Sequence, residues 1–162
     1  MTVEERHRLV RLSYAAYDGG ARETIFDLFD DDIEWRMLCP PEALPFPNRL
    51  RGKTEVLAAI RKIDDLVEVL GNDLEVVVVE GDRAAVVCDR KLRQRSTGRV
   101  MRYKVAAFHR YRNGRLVEYM AFADSRHDAA GARPHHSIAA VLSGCHQTLK
   151  PPRLDGRSGK VL

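Results

Sequence analysis

The apolar positions follow a helical rhythm over the first third of the chain and then, mostly, a strand rhythm. Thr2-Val3-Glu4-Glu5 has the form of a capping box. Beyond it Leu9, Leu12 and Ala16, with Val10, Tyr14 and Tyr17 beside them, recur at helical spacing until Gly19-Gly20. A short second helix, Arg22 to Phe29, carries Ile25, Leu28 and Phe29 on one face. After the acidic turn Asp30-Asp31-Asp32, the residues Ile33, Trp35 and Met37 alternate with Glu34 and Arg36, which predicts a strand with one apolar face. The segment CPPEALPFPNRLRG holds four prolines and reads as an ordered loop over a pocket mouth or a sheet edge. A third helix from about Thr54 to Leu70 keeps Leu57, Ile60, Val67 and Leu70 in step and is stopped by Gly71.

Four strand runs follow: Leu74 to Glu80, Arg83 to Arg93, Arg99 to Arg112 and Arg115 to Asp124. Their connections are short: Gly81-Asp82, the Ser96-Thr97-Gly98 loop, and Asn113-Gly114, the strongest two-residue hairpin signal. Three helices ahead of a meander of long strands predict an α+β fold, with the three N-terminal helices packed on one face of a curved antiparallel sheet. The periodicity stops after Asp124. Residues 1–127 are read as one domain and 128–162 as a basic, flexible tail.

Charge then changes the picture. The net charge is +4 and the sequence pI about 9.1, which taken alone invites a nucleic-acid partner. The surplus, however, belongs to the tail: Met1 to Ser125 holds 21 Lys/Arg and 21 Asp/Glu, while the last 37 residues hold 6 basic and 2 acidic ones. A neutral folded part argues against nucleic acid. Locally it is uneven: Asp64 to Asp82 has seven acids and no base, and Arg90 to Val117 has ten bases and no acid. That pattern predicts either an electronegative end and an electropositive side, or a solvated strand face rich in arginine.

Cys39, Cys88 and Cys145 are odd in number and widely spaced, so they suit neither a disulfide framework nor a zinc site. The histidines at 127, 135, 136 and 146 match no zinc spacing, and no metal or other cofactor is expected. The charged opening MTVEERHRLVRL is no signal peptide and no apolar run reaches membrane-span length, so a reduced, cytoplasmic protein without a membrane partner is expected.

Three stretches carry a resemblance: GGARETIFDLFDDDIEWRM, PFPNRLRGKTEVLAAI and FHRYRNGRLVEYMAFAD. From Val3 to Asp124 the chain resembles the SnoaL-like polyketide cyclase group of the NTF2-like superfamily, to which ketosteroid isomerases and limonene epoxide hydrolases also belong. The resemblance implies a cone, a bent sheet wrapped on helices around a deep apolar cavity, and a homodimer formed through the sheet. It also implies a small apolar molecule as ligand and cofactor-free isomerase, cyclase or hydrolase chemistry. A fold that hosts so many reactions leaves a non-catalytic binding or dimerisation module as the alternative.

Counting outward from a two-residue Asn113-Gly114 turn opposes Tyr111 with Leu116, His109 with Glu118, Ala107 with Met120, Val105 with Phe122 and Tyr103 with Asp124. The resemblance makes this shared face the cavity side. The steroid-isomerase positions fall on Ser13, Met37 and Ala107, none of which can do that chemistry. An epoxide-hydrolase set is incomplete, because neighbours on a strand point to opposite sides and Asp89 and Arg90 cannot both face inward. A cyclase needs one acid/base carboxylate in an apolar cavity. Asp124, supported by Tyr103 and Arg90, is the candidate catalytic set. Tyr14, Tyr17, Trp35, Met37, Val105, Ala107, Met120 and Phe122 are the candidate ligand contacts. Asp124 is a base if its pocket is apolar and a strand-tying brace if Arg90 pairs with it. His109 lies about 20 Å along the sheet from Asp124 and is expected to pair with Glu118 as a structural residue.

Overall fold

In the computed structural model, residues 2–20, 22–39 and 44–123 are described. Asp124 and the expected tail lie outside them. Helix α1 (Val3–Asp18) is followed by α2 (Arg22–Phe26), β1 (Phe29–Leu38), β2 (Arg49–Arg51), α3 (Lys53–Leu66), β3 (Val67–Glu80), β4 (Arg83–Gln94), β5 (Val100–Arg112) and β6 (Arg115–Ala123). The capping box forms as expected: the Glu5 amide donates to the Thr2 hydroxyl and the Thr2 amide to the Glu5 carboxylate. Helix α1 packs on β3 and α2, and α3 on β1, β2 and β3. All three helices thus serve the fold as the sequence predicts.

Three boundaries differ. Helix α2 stops at Phe26, and Phe29 already begins β1, so Asp30 to Asp32 lie within a strand rather than in a turn. Helix α3 stops at Leu66, four residues early, because the β-branched Val67 and Val69 bury fully in an extended backbone where β3 begins. Gly71 is therefore not a helix stop; it sits at a register shift in the β3–β4 ladder. Within the proline-rich segment, Arg49–Arg51 pairs with β1 as the short edge strand β2.

The sheet runs β2-β1-β6-β5-β4-β3. The β3–β6 meander is antiparallel as expected, as is the β1–β2 pair, and β1 joins β6 in parallel. The first strand enters the sheet beside the last, with α1 and α2 ahead of it in sequence and α3 after β2. Buried residues of both layers, including Val10, Ile33, Val56, Val67, Val86, Cys88 and Val105, form one core.

The hairpin turn is as expected: Asn113 and Gly114 take φ of 51° and 78°, which suits the twist of the flanking strands. The register beyond it is not. Tyr111 opposes Leu116, but the next pair is Arg110 with Glu118, then His109 with Tyr119 and Ala107 with Ala121. One extra residue, Val117, bulges from β6, and a one-residue slip sends every later side chain to the other face. Tyr119 and Ala121 are buried on the helix side, whereas Phe122 is 41% exposed and Glu118 bonds Arg110. Met120 and Phe122 are thereby corrected from cavity contacts to outer-face residues, and His109 does not pair with Glu118. The expected opposition of Tyr103 and Asp124 rested on the same unbulged count.

The uneven charge also resolves. On the outer face, acids of β3 meet bases of β4 and β5, Glu68 with Arg93 at 3.0 Å, Glu75 with Lys104 at 2.6 Å and Asp73 with Arg102 at 3.6 Å, and Asp89 of β4 meets the same Arg102 at 3.0 Å. The acidic and basic stretches pair across strands instead of forming two poles, and as exposed pairs each contributes little to stability.

Candidate functional site

A pocket of about 130 Å3 lies between the helices and the inner face of the sheet. Side-chain alternation builds it. From α1 come Ser13, Tyr14 and Tyr17, from β1 Trp35 and Met37, from β4 Arg90 and Leu92, from β5 Tyr103, His109 and Tyr111, and from β6 Leu116 and Tyr119. Ile60 and Ile63 of α3 and Leu44 of the proline-rich segment complete the apolar wall. The volume is close to that of a cavity able to hold one benzene-sized ring.

Of the sequence-derived contacts, Tyr14, Tyr17, Trp35 and Met37 line the pocket, and so do Arg90 and Tyr103. Val105 and Ala107 lie on the same face of β5 as buried core, outside the lining. Arg90 faces inward and Asp89 outward, where Asp89 bonds Arg102. The sequence reading missed Tyr119, which the bulge turns inward, and it assigned His109 a partner on the wrong face. Adjacent apolar residues, Leu116-Val117, are the signal that an extra residue is accommodated there.

The inner wall is aromatic. Trp35 and Tyr119 stack with centroids 3.9 Å apart, Tyr119 stacks on His109 at 5.3 Å, and His109 on Tyr14 at 6.2 Å. His109 is 6% exposed. Its Nδ1 lies 3.4 Å from the Tyr111 hydroxyl, and its Nε2 has no partner among the described residues. Burial pushes its pKa down to about 4, so the ring is neutral at physiological pH. Burial also raises the tyrosines: Tyr119 is pushed up to about 12, Tyr14 and Tyr17 are raised, and Tyr103 is raised although Arg90 works against it. Each keeps its proton.

Arg90 stands opposite Tyr103 in the β4–β5 ladder. Its Nε donates to Asn72 Oδ1 at 2.6 Å, and its guanidinium lies 5.7 Å from the Tyr17 ring centroid. Asn72, itself buried, is held in turn by Asp18 at the end of α1: the Asn72 amide donates to Asp18 Oδ2 at 3.0 Å and its side-chain nitrogen to Oδ1. Arg22 lies 4.4 Å from the same Tyr17 ring centroid and is paired with Asp64. No group of three or more metal-ligating side chains occurs among the described residues. No helix among them is long and apolar enough to cross a membrane.

Helices covering one face of a bent, open sheet, with a pocket between the layers, define the NTF2-like class of α+β proteins. The same arrangement appears in an NTF2-like protein of unknown function from Burkholderia pseudomallei, 22% identical, with a TM-score of 0.66 over 76% of this chain and 92% of that one. A provisionally named isomerase from Rhodopseudomonas palustris is 29% identical, with a TM-score of 0.65 over 76% and 92% of the two chains. An epoxide hydrolase from M. tuberculosis shares the fold at 16% identity, with a TM-score of 0.62 over 75% and 84%. No curated protein matches by sequence. The SnoaL-like domain model matches residues 10–119, and the chain belongs to that family.

Proposed function

We propose that the chain binds a small, mainly apolar molecule in this pocket and, as a cofactor-free enzyme of the isomerase, cyclase or hydrolase kind, moves a proton on it. One observation carries the reading: a buried histidine on the pocket wall keeps a ring nitrogen without a partner, an arrangement that costs stability unless something else meets it. With its Nδ1 accepting from Tyr111, a neutral His109 presents an Nε2–H donor to a ligand oxygen. The proposed acid/base is Asp124, with Tyr103 and Arg90 in support. The alternative is a binding module without chemistry. It is favoured by the absence of any carboxylate among the described lining residues.

An aryl ketone separates the two. Trp35, the single tryptophan, lines the pocket, so its emission should change as acetophenone binds. In D2O the enzyme reading expects exchange of the ketone's α-protons to run about a hundredfold faster than with free imidazole or acetate at matched concentration, and to collapse in Asp124→Asn. Binding without any acceleration would leave only the module. Acceleration that survives Asp124→Asn would remove Asp124 from the mechanism.

The same proposal includes a homodimer through the outer sheet face and a cytoplasmic location. The outer face carries Phe108 and Phe122 in edge-to-face contact at 6.1 Å, both more than two-fifths exposed, with Val76 and Val78 exposed on β3. Light scattering should give twice the monomer mass for the wild type, and the monomer mass for Phe108→Glu. A monomeric wild type at micromolar concentration would remove the dimer. The buried, free thiol of Cys88 suits a reducing compartment.

A further inference from the structure

We propose that Arg90 is an anion receptor, and that the pocket's ligand is a planar, single-ring molecule carrying a carboxylate. The inference rests on the pocket being a ligand site, and adds to it the class of ligand.

Arginines enclosed by protein are normally matched by an acid, because an unmatched charge in a low-dielectric site is costly. Arg22, enclosed beside the Tyr17 ring, follows that habit and pairs with Asp64. Arg90, one residue after Asp89 and facing the other way, departs from it. No carboxylate among the described residues pairs with it; its Nε is committed to the neutral Asn72. Asp18 neutralises the site only at one remove, through Asn72, and its bonds fix the amide so that the oxygen faces Arg90. The guanidinium is thereby anchored at Nε and touched by the Tyr103 hydroxyl, and its terminal amino groups form a flat fork suited to a carboxylate.

The surroundings select for the same ligand. Arg90, raised above its ordinary value, stays charged at any physiological pH, and the pocket tyrosines remain protonated, so their hydroxyls can donate. Tyr103 lies directly across the strand pair from Arg90. The described lining therefore offers a cation and several donors and no anion. Its size admits about one ring, and its wall is aromatic, with Tyr14, Tyr17, Trp35, Tyr103 and Tyr119 all lining it.

Benzoate and benzamide have nearly the same shape and differ in charge. With the full chain at pH 7 and fixed ionic strength, Trp35 emission and calorimetry should show benzoate binding at least about tenfold more tightly than benzamide. In Arg90→Gln the preference should vanish while the benzamide affinity changes by less than about twofold. Arg90→Lys, which keeps the charge and loses the fork, should retain part of the preference. Equal affinities in the wild type would overturn the proposal without any variant being needed, and so would a preference that persists in Arg90→Gln. If benzamide binds and benzoate is no better, Arg90 is a brace and the pocket stands; if neither reaches Trp35, the ligand site fails and this inference with it.

Discussion

Deletion of Val117 should leave the fold and a cooperative thermal transition in place, at a cost of only about 1–3 kcal/mol as followed by circular dichroism. Val117 is the extra residue of β6, so without it the strand runs in plain alternation from the hairpin turn and keeps the pairing it already has: Leu116 with Tyr111, Glu118 with Arg110, Tyr119 with His109 and Ala121 with Ala107. Tyr119 and Ala121 stay in the core, Glu118 stays on Arg110, and what is lost is the burial of one valine side chain. Val117→Ala, which keeps the bulge and loses most of the same side chain, should cost a similar amount. A deletion variant without a cooperative transition would show that Val117 does more than take up one residue in the ladder.

Stability should also fall between pH 6.5 and 4.5, by about 2–3 kcal/mol, through His109 alone. Its folded pKa, about 4, lies below the ordinary 6.5, so the unfolded chain binds the extra proton. The contribution is complete above pH 6.5 and is lost as the pH falls toward the folded value. The rings packed around it, Tyr14, Tyr111 and Tyr119, are neutral throughout this range and cannot offset the charge. Glu34 and Glu118, which arginine hydrogen bonds hold below the usual carboxylate range, lose their contribution only at lower pH. His109→Phe keeps the ring stack and cannot titrate, so urea denaturation of the variant should be nearly flat across the window. An equal slope in both proteins would mean that His109 takes its proton without strain.

What was legible in the sequence follows from how many patterns a segment fits. Asn113-Gly114 admits one turn, and the strands on either side of it were placed to within two residues. Trp35 and Met37 alternate with charged neighbours, which fixed their face without further information. Strand β6 offers no such choice. Both phases of its alternation are apolar, Tyr119 and Ala121 on one side and Met120 and Phe122 on the other, so hydrophobicity is silent on the register and only the bulge decides. The α3–β3 junction was hidden for a similar reason: Val67 to Leu70 fits a helical stripe as well as a strand until burial on the sheet is counted. Asn72, between Gly71 and Asp73, looks like a turn residue. Its task of holding Arg90 depends on Asp18, 54 residues earlier, and on a strand pairing that spacing alone does not reveal.

Strand β3 ends the sheet, and nothing among the described residues pairs along its far side. Within it Val76 to Val79 is an uncharged run of β-branched residues, the type of segment that recruits copies of itself into cross-β aggregates. Glu75 and Glu80 close it at both ends. Lys104, by holding Glu75 on the outer face, keeps one of those two charges beside the exposed edge. The same acids that looked like half of an electrostatic dipole are therefore gatekeepers, and their removal would turn a folded sheet edge into a nucleus for misassembly.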